Sequence, residues 1–168
     1  MPRPVLVILV GIPGSGKSTF SRNFLELARN YDQRWITVSQ DELGDRSWCE
    51  RVAENHLRVG GNVIIDRCNI NESQRQIWIR MGWRWNAIIV TLYFSLHLEI
   101  CLWRVSRRRG HPTLDSRNSN FEEVVRRFWR NLELPDISEG VDLCMTRYEE
   151  PDNTEAIMRM LIELPVDR

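Results

Sequence analysis

Apolar residues in this chain come as short unbroken runs separated by longer stretches of mixed character. Residues 5–10 are apolar throughout and lead straight into Gly11. A run this short, ended by glycine, reads as a buried strand. Residues 17–28 mix apolar and polar positions at helical spacing and predict an amphipathic helix. The alternation then repeats. A strand is expected at 35–39, followed by a helix reaching about 59, with Gly44 as a candidate break. A strand at 62–66 comes after the turn pair Gly60-Gly61, then a helix at 72–81, a strand at 86–94 and a helix at 96–108. A polar loop at 110–120 leads to a helix at 121–132, a strand at 141–148 and a closing helix at 154–164. Strands separated by helical crossovers predict an α/β fold: a parallel sheet of about five strands flanked by helices. No repeat, low-complexity tract or linker interrupts it, so residues 1–168 read as one domain.

Length and composition agree. At 168 residues, 42% hydrophobic and 27% charged, the chain suits one soluble domain whose core needs no disulfide or metal staple. Cys49, Cys68, Cys101 and Cys144 lie far apart, without the spacing of zinc or redox sites. They read as reduced thiols of an intracellular protein, cytoplasmic or nuclear. No stretch approaches the roughly 20 apolar residues of a membrane span, and the 5–10 run is too short for a signal peptide. Neither a membrane nor an obligate protein partner is expected. The formal net charge is zero, which argues against a basic surface gripping a long nucleic-acid tract. The charge is uneven, however. Arg104, Arg107, Arg108 and Arg109 cluster, Arg126, Arg127 and Arg130 follow, and Lys17 is the only lysine.

That lysine lies in Gly11-Ile-Pro-Gly-Ser-Gly-Lys-Ser18, a full match to G-x-x-x-x-G-K-[ST] with a predicted strand before it and a helix after. Such a loop turns its amides onto phosphate oxygens, and the following helix adds unpaired N–H groups and a positive dipole end. The expected nucleotide cradle is Gly11, Pro13, Gly14, Ser15, Gly16, Lys17, Ser18 and Thr19, with Lys17 bridging β- and γ-phosphates and Ser18 on Mg²⁺. ATP or GTP is the expected donor; no purine-reading motif separates them.

Open α/β sheets bind ligands beyond the carboxyl ends of their strands, so carboxylates there are the next candidates. Asp41, in Ser39-Gln40-Asp41-Glu42, could accept a proton from an attacking hydroxyl. The Ser39 and Glu42 spacing is also that of a capping box, which would make Asp41 a first-turn anion. Asp66 ends the 62–66 strand, where it could hold magnesium or the acceptor, or cap the next turn. Arginines 104, 107, 108 and 109 precede Gly110-His111-Pro112. Their planar forks suit a transferring phosphoryl group, and residues 104–120 could close as a lid. A solvated basic helix face is the alternative. Arg108 and Arg109 are adjacent and point apart, so one of them is expected to reach the γ-phosphate.

Taken together, GIPGSGKST, SQDELGDR, VIIDRCN and RRRGHP resemble the polynucleotide 5′-hydroxyl kinase branch of small P-loop kinases, which includes the kinase domain of phage and animal polynucleotide kinase/phosphatases. The resemblance covers roughly residues 5–148, and its specific part is the P-loop. It implies a P-loop kinase fold with a short arginine-bearing lid, transferring the γ-phosphate of Mg-NTP to the 5′-hydroxyl end of RNA or DNA. The family's general base falls on Asp41. Its D-x-N-type motif falls on Asp66 and Asn69, in the longer form Asp66-Arg67-Cys68-Asn69. The lid arginine before glycine falls on Arg109, with Arg108 as second choice. Gln40 stands where the family often has arginine, and Gly44 stands where the phage enzyme has its acceptor-phosphate arginine; Arg46 or Arg67 is left to take that role. No D-x-D-G-T phosphatase signature is present. A small-molecule kinase acting on a nucleoside, sugar or antibiotic hydroxyl would share these motifs, as would an NTP-binding module with slow hydrolysis.

Of seven tryptophans, Trp78, Trp83 and Trp85 read as packing residues. Trp48, just after the Asp41 segment, is the candidate to face an acceptor. His111 has no partner at metal-ligand spacing.

Overall fold

The apolar run at Val5–Val10 is unbroken because this strand has no solvent face: all six residues are buried. In the computed structural model, which describes residues 3–109, 114 and 120–164, it is β1, the centre of a five-stranded parallel sheet. The other strands are β2 (Trp35–Ser39), β3 (Asn62–Asp66), β4 (Ile88–Ser95) and β5 (Leu143–Tyr148), in the order β2-β3-β1-β4-β5. The helices are α1 (Lys17–Ala28), α2 (Gln40–Leu43), α3 (Arg46–Arg58), α4 (Glu72–Arg84), α5 (Leu98–Ser106), α6 (Phe121–Arg130) and α7 (Thr154–Glu163). No helix among the described residues is long and apolar enough to cross a membrane.

Alternate residues of β1 enter two separate cores, as the period of a strand requires. Leu6, Ile8 and Val10 pack with Ala53 and Leu57 of α3 and Trp78 and Ile79 of α4. Val5, Val7 and Leu9 pack with Phe20 and Phe24 of α1 and Ile157 and Leu161 of α7. A third cluster, around Ile12, Leu102, Val105 and Val125, lies under α5 and α6.

The chain leaves β3 on one side of β1 and enters β4 on the other, which opens a crevice beyond the carboxyl ends of β1 and β3. Register aims three segments at it, since β1 runs directly into Gly11 and Ser39 pairs with Asp66 at the ends of β2 and β3.

Element types follow the sequence pattern; the ends do not always. Gly44, at φ 82°, breaks the long second helix into α2 and α3, a left-handed position suited to glycine. Ser39 makes no side-chain cap on α2, so the capping-box expectation fails; Asp45 instead caps α3 by accepting the Trp48 N–H at 3.2 Å. Helix α4 continues past residue 81 because tertiary bonds hold its last turn: Trp83 Nε1 donates to the Gly140 carbonyl at 2.9 Å and Arg84 to Glu54 at 2.6 Å. Helix α5 ends at Ser106, two residues short of the expected end. Gly110, His111 and Pro112 of the expected lid lie outside the described residues.

Candidate active site

The P-loop is shaped from within. Gly14 (φ 85°) and Gly16 (φ 97°) take left-handed conformations. A Cβ on Gly14 would lie 2.5 Å from the Cys101 carbonyl oxygen of α5, so both backbone angle and space require glycine there. Lys17 is buried and donates to the Ile12 carbonyl at 2.9 Å and to Ser15 Oγ at 3.3 Å. Helix α1 starts at Lys17 without a side-chain cap, and Phe20 N–H makes its first bond, to Gly16. The amides of Lys17, Ser18 and Thr19 are therefore left without intrahelical acceptors at the mouth of the loop.

A cleft of about 610 Å³ opens on one side of this loop, with Lys17, Ser18, Asp41, Asp66, Arg67 and Arg108 among its lining residues. Asp66 is half-buried, and burial raises its pKa above the usual aspartate value; the Lys17 charge and a hydrogen bond from Ser18 oppose that shift, while Asp41 and Glu42 add to it. Arg108 is half-buried, with its pKa pulled down by burial and held up in part by the charges of Cys68 and Asp41. A second cavity of about 520 Å³ lies on the other side of Gly14 and Gly16, where Thr19, Arg104, Arg147, Glu149 and Asp152 line it. Arg108 lines both cavities. Glu149 is gripped by Arg104 and Arg147, tying the end of β5 to α5.

Not every residue expected at the site arrives there. Arg109 is exposed and absent from both cavity linings, so the structure brings Arg108 rather than Arg109 to the cleft. Arg46 is exposed, pairs with Glu50 one turn along α3 at 2.7 Å, and does not line the cleft. Trp48 is likewise outside the cleft; it is exposed under the guanidinium of Arg51, 5.1 Å from its ring centroid. Asn69 borders the cleft, but its side chain is buried and occupied. Its amide donates to the Leu9 and Arg67 carbonyls at 2.8 and 3.2 Å, and its Oδ1 accepts from Trp78 Nε1 at 3.2 Å. With both donors used, it holds the loop after β3 rather than offering itself to a ligand.

The brace behind that loop gave no signal at the level of sequence motifs. Arg75 of α4, with no exposed surface, makes a two-pronged pair with Glu139 at 2.6 and 2.8 Å. It also donates to the carbonyls of Asn69 and Glu133, both at 2.9 Å. One guanidinium thus ties α4, the Asp66–Asn69 loop and the turn Ile137–Glu139 together. Asp136-x-x-Glu139 is a visible capping spacing, and the box does form. Nothing along the chain marks Glu139 as the partner of a residue 64 positions away.

A metal fits this donor set. Ser18 and Asp66 bring a hydroxyl and a carboxylate together, two hard oxygen ligands beside the amides of the P-loop.

Residues 1–165 match the family model described as chromatin associated protein KTI12. The chain belongs to the KTI12 family. Among curated proteins, this chain is 30% identical over 163 residues, 92% of its length, to an Arabidopsis thaliana protein named transcription factor bHLH140. It is 26% identical over 156 residues, 88% of the chain, to a bifunctional polynucleotide phosphatase/kinase of Schizosaccharomyces pombe. The chain spans 17% and 36% of the length of these two relatives.

Among solved structures, Chaetomium thermophilum Kti12 in complex with ADP-AlF3 superposes with TM-score 0.76 at 17% identity, covering 96% of this chain and 100% of that one. A fungal RNA kinase gives 0.64 at 15% identity, covering 94% of this chain and 42% of that one. The fold is that of the P-loop kinases. The family is KTI12 and not the polynucleotide kinase branch whose motifs it resembles; that branch enters as a relative at 26% identity.

Proposed function

We propose that this KTI12-family chain binds Mg·NTP on its P-loop and transfers the γ-phosphoryl group to the 5′-hydroxyl end of an RNA or DNA strand. The observation that carries this reading is Arg67. Arg67 is half-buried and lines the cleft that also holds Asp41, and its guanidinium has no carboxylate or hydrogen-bond partner among the described residues. A guanidinium that faces a cleft with no protein carboxylate beside it is open to an anionic ligand. A phosphate next to the reacting hydroxyl is the group its planar fork suits.

The nucleoside lies in the second cavity, and the phosphates cross the amides of residues 14–19 into the main cleft. Lys17 directs its remaining N–H and its charge to the β- and γ-oxygens. Ser18 and Asp66 would hold Mg²⁺, which when bound would supply neutralisation of phosphate charge. Arg108, placed at the junction of both cavities, stabilises the charge that spreads over the transferring group. Asp41, exposed at the cleft, accepts the proton of the attacking hydroxyl. The ADP-AlF3 in the Chaetomium relative combines a nucleoside diphosphate with a stand-in for a phosphoryl group in transfer, which supports such chemistry on this fold.

A second reading, an NTP hydrolase acting as a switch, is favoured by names: the family is described by chromatin association, and the Arabidopsis relative is named a transcription factor. One experiment separates them. Wild type and Asp41→Asn are incubated with γ-labelled ATP or GTP, Mg²⁺, and matched 5′-hydroxyl RNA and DNA oligonucleotides. Transfer to the oligonucleotide, reduced about 10²-fold or more in Asp41→Asn, is expected. Label released only as free phosphate, at a rate unaffected by the substitution, would establish the hydrolase.

A further inference from the structure

One wall of the main cleft is not required by phosphoryl transfer itself. Helix α6 has apolar residues at Phe121, Val124, Val125 and Phe128, the stripe of an amphipathic helix. Val125 is fully buried in the cluster beneath α5. Val124 and Phe128, one turn apart, are half-buried: they pack against that cluster and also line the cleft. Gln74, in the first turn of α4, borders the same space. Its Oε1 accepts the Ile70 N–H at 3.0 Å, which sets the orientation of the amide. The Nε2 end remains for the cleft, with no partner among the described residues.

A flat apolar surface beside an oriented donor matches a nucleobase, whose faces are apolar and whose edge bears carbonyl oxygens and ring nitrogens. A small polyol acceptor would cover less of the wall formed by Phe128 and Val124 than a planar base does. The geometry points to a subsite for the base of the acceptor's terminal nucleotide: Phe128 stacks on it, Val124 flanks it, and Gln74 donates to an acceptor on its edge. The inference rests on the polynucleotide reading above. It adds that the enzyme grips the terminal base itself, and that this grip tolerates any base, because every base has a π-face and an edge acceptor.

The test is equilibrium binding, in the presence of Mg·ADP, of two 5′-hydroxyl oligonucleotides that differ only in whether the 5′-terminal nucleotide carries its base or is abasic. Wild type is expected to favour the intact end roughly tenfold, the scale of one base stacked on an aromatic ring. Phe128→Ala should abolish that preference, Phe128→Trp should retain it, and Gln74→Ala should reduce it about threefold. Gln74 is exposed, so its variant carries the test should Phe128→Ala fold poorly. Equal affinity of wild type for the two ends overturns the subsite, as does a preference that survives both Phe128→Ala and Gln74→Ala, or no binding of either oligonucleotide. A preference lost in the variants, in a protein that moves no label to either oligonucleotide, upholds the base subsite while removing the kinase reading.

Discussion

On one side of the cleft, eight consecutive residues from Gly11 to Ser18 supply the turn, the cation and a hydroxyl. On the other, Asp41 comes from α2, Asp66 from the end of β3, Arg67 from the loop beyond it, Gln74 from α4 and Phe128 from α6. The phosphate cradle is close to self-sufficient, because a strand, a glycine turn and a helix N-terminus already place its donors. The facing wall has no local rule to shape it. Its geometry depends on what holds the segments together, and the buried Arg75–Glu139 pair is central to that. The two sides should therefore fail differently when perturbed.

The largest effect is expected from the brace. Arg75→Ala strands the Glu139 carboxylate in the interior and removes two carbonyl partners, which should cost about 3–5 kcal/mol of stability. Chemical denaturation measures it, and a loss under 1 kcal/mol would mean that the wall does not depend on this pair. Next is Lys17→Ala, which should lower turnover about 10²–10³-fold, or roughly 3–4 kcal/mol, while leaving the denaturation midpoint nearly in place. Rate lost with little loss of fold, against fold lost and rate with it, is the contrast that these two variants sharpen.

Arg67→Ala should act on the acceptor alone, raising the KM for oligonucleotide about tenfold with little change in the KM for NTP. Equal effects on both would blur the division of the cleft.

The smallest effect is expected at Glu149. Burial pushes its carboxyl up, but hydrogen bonds from Arg104 and Arg147 outweigh that and leave its pKa below the ordinary glutamate value of 4.5. A folded pKa below the unfolded one gives stability that is present above the unfolded value and lost as pH falls through the folded one. Wild type should thus lose about 1 kcal/mol or less as pH drops below about 4.5. Glu149→Gln should lack that increment already at neutral pH, so the melting temperatures of the two converge in acid.

What could be read along the chain follows the same division. The element types, the break at Gly44 and the P-loop were legible because each depends on neighbours within a turn or two: apolar runs, helical spacing, a glycine at positive φ. Asp41, Asp66 and Arg67 were legible as candidates because strand ends in a parallel sheet converge, and the structure does bring them to one cleft. The choice between Arg46 and Arg67, and between Arg108 and Arg109, was not. Adjacent or nearby arginines differ only in which way the backbone turns them, and a Glu50 four residues along claims Arg46. Asn69 read as a ligand residue, whereas burial made it a clamp on Leu9 and Trp78. Local chemistry determined that a phosphate cradle exists. Long-range packing decided what faces it, because the contacts of Arg75 with Glu139, of Gly14 with Cys101 and of Phe128 with the cleft join residues that nothing along the chain relates.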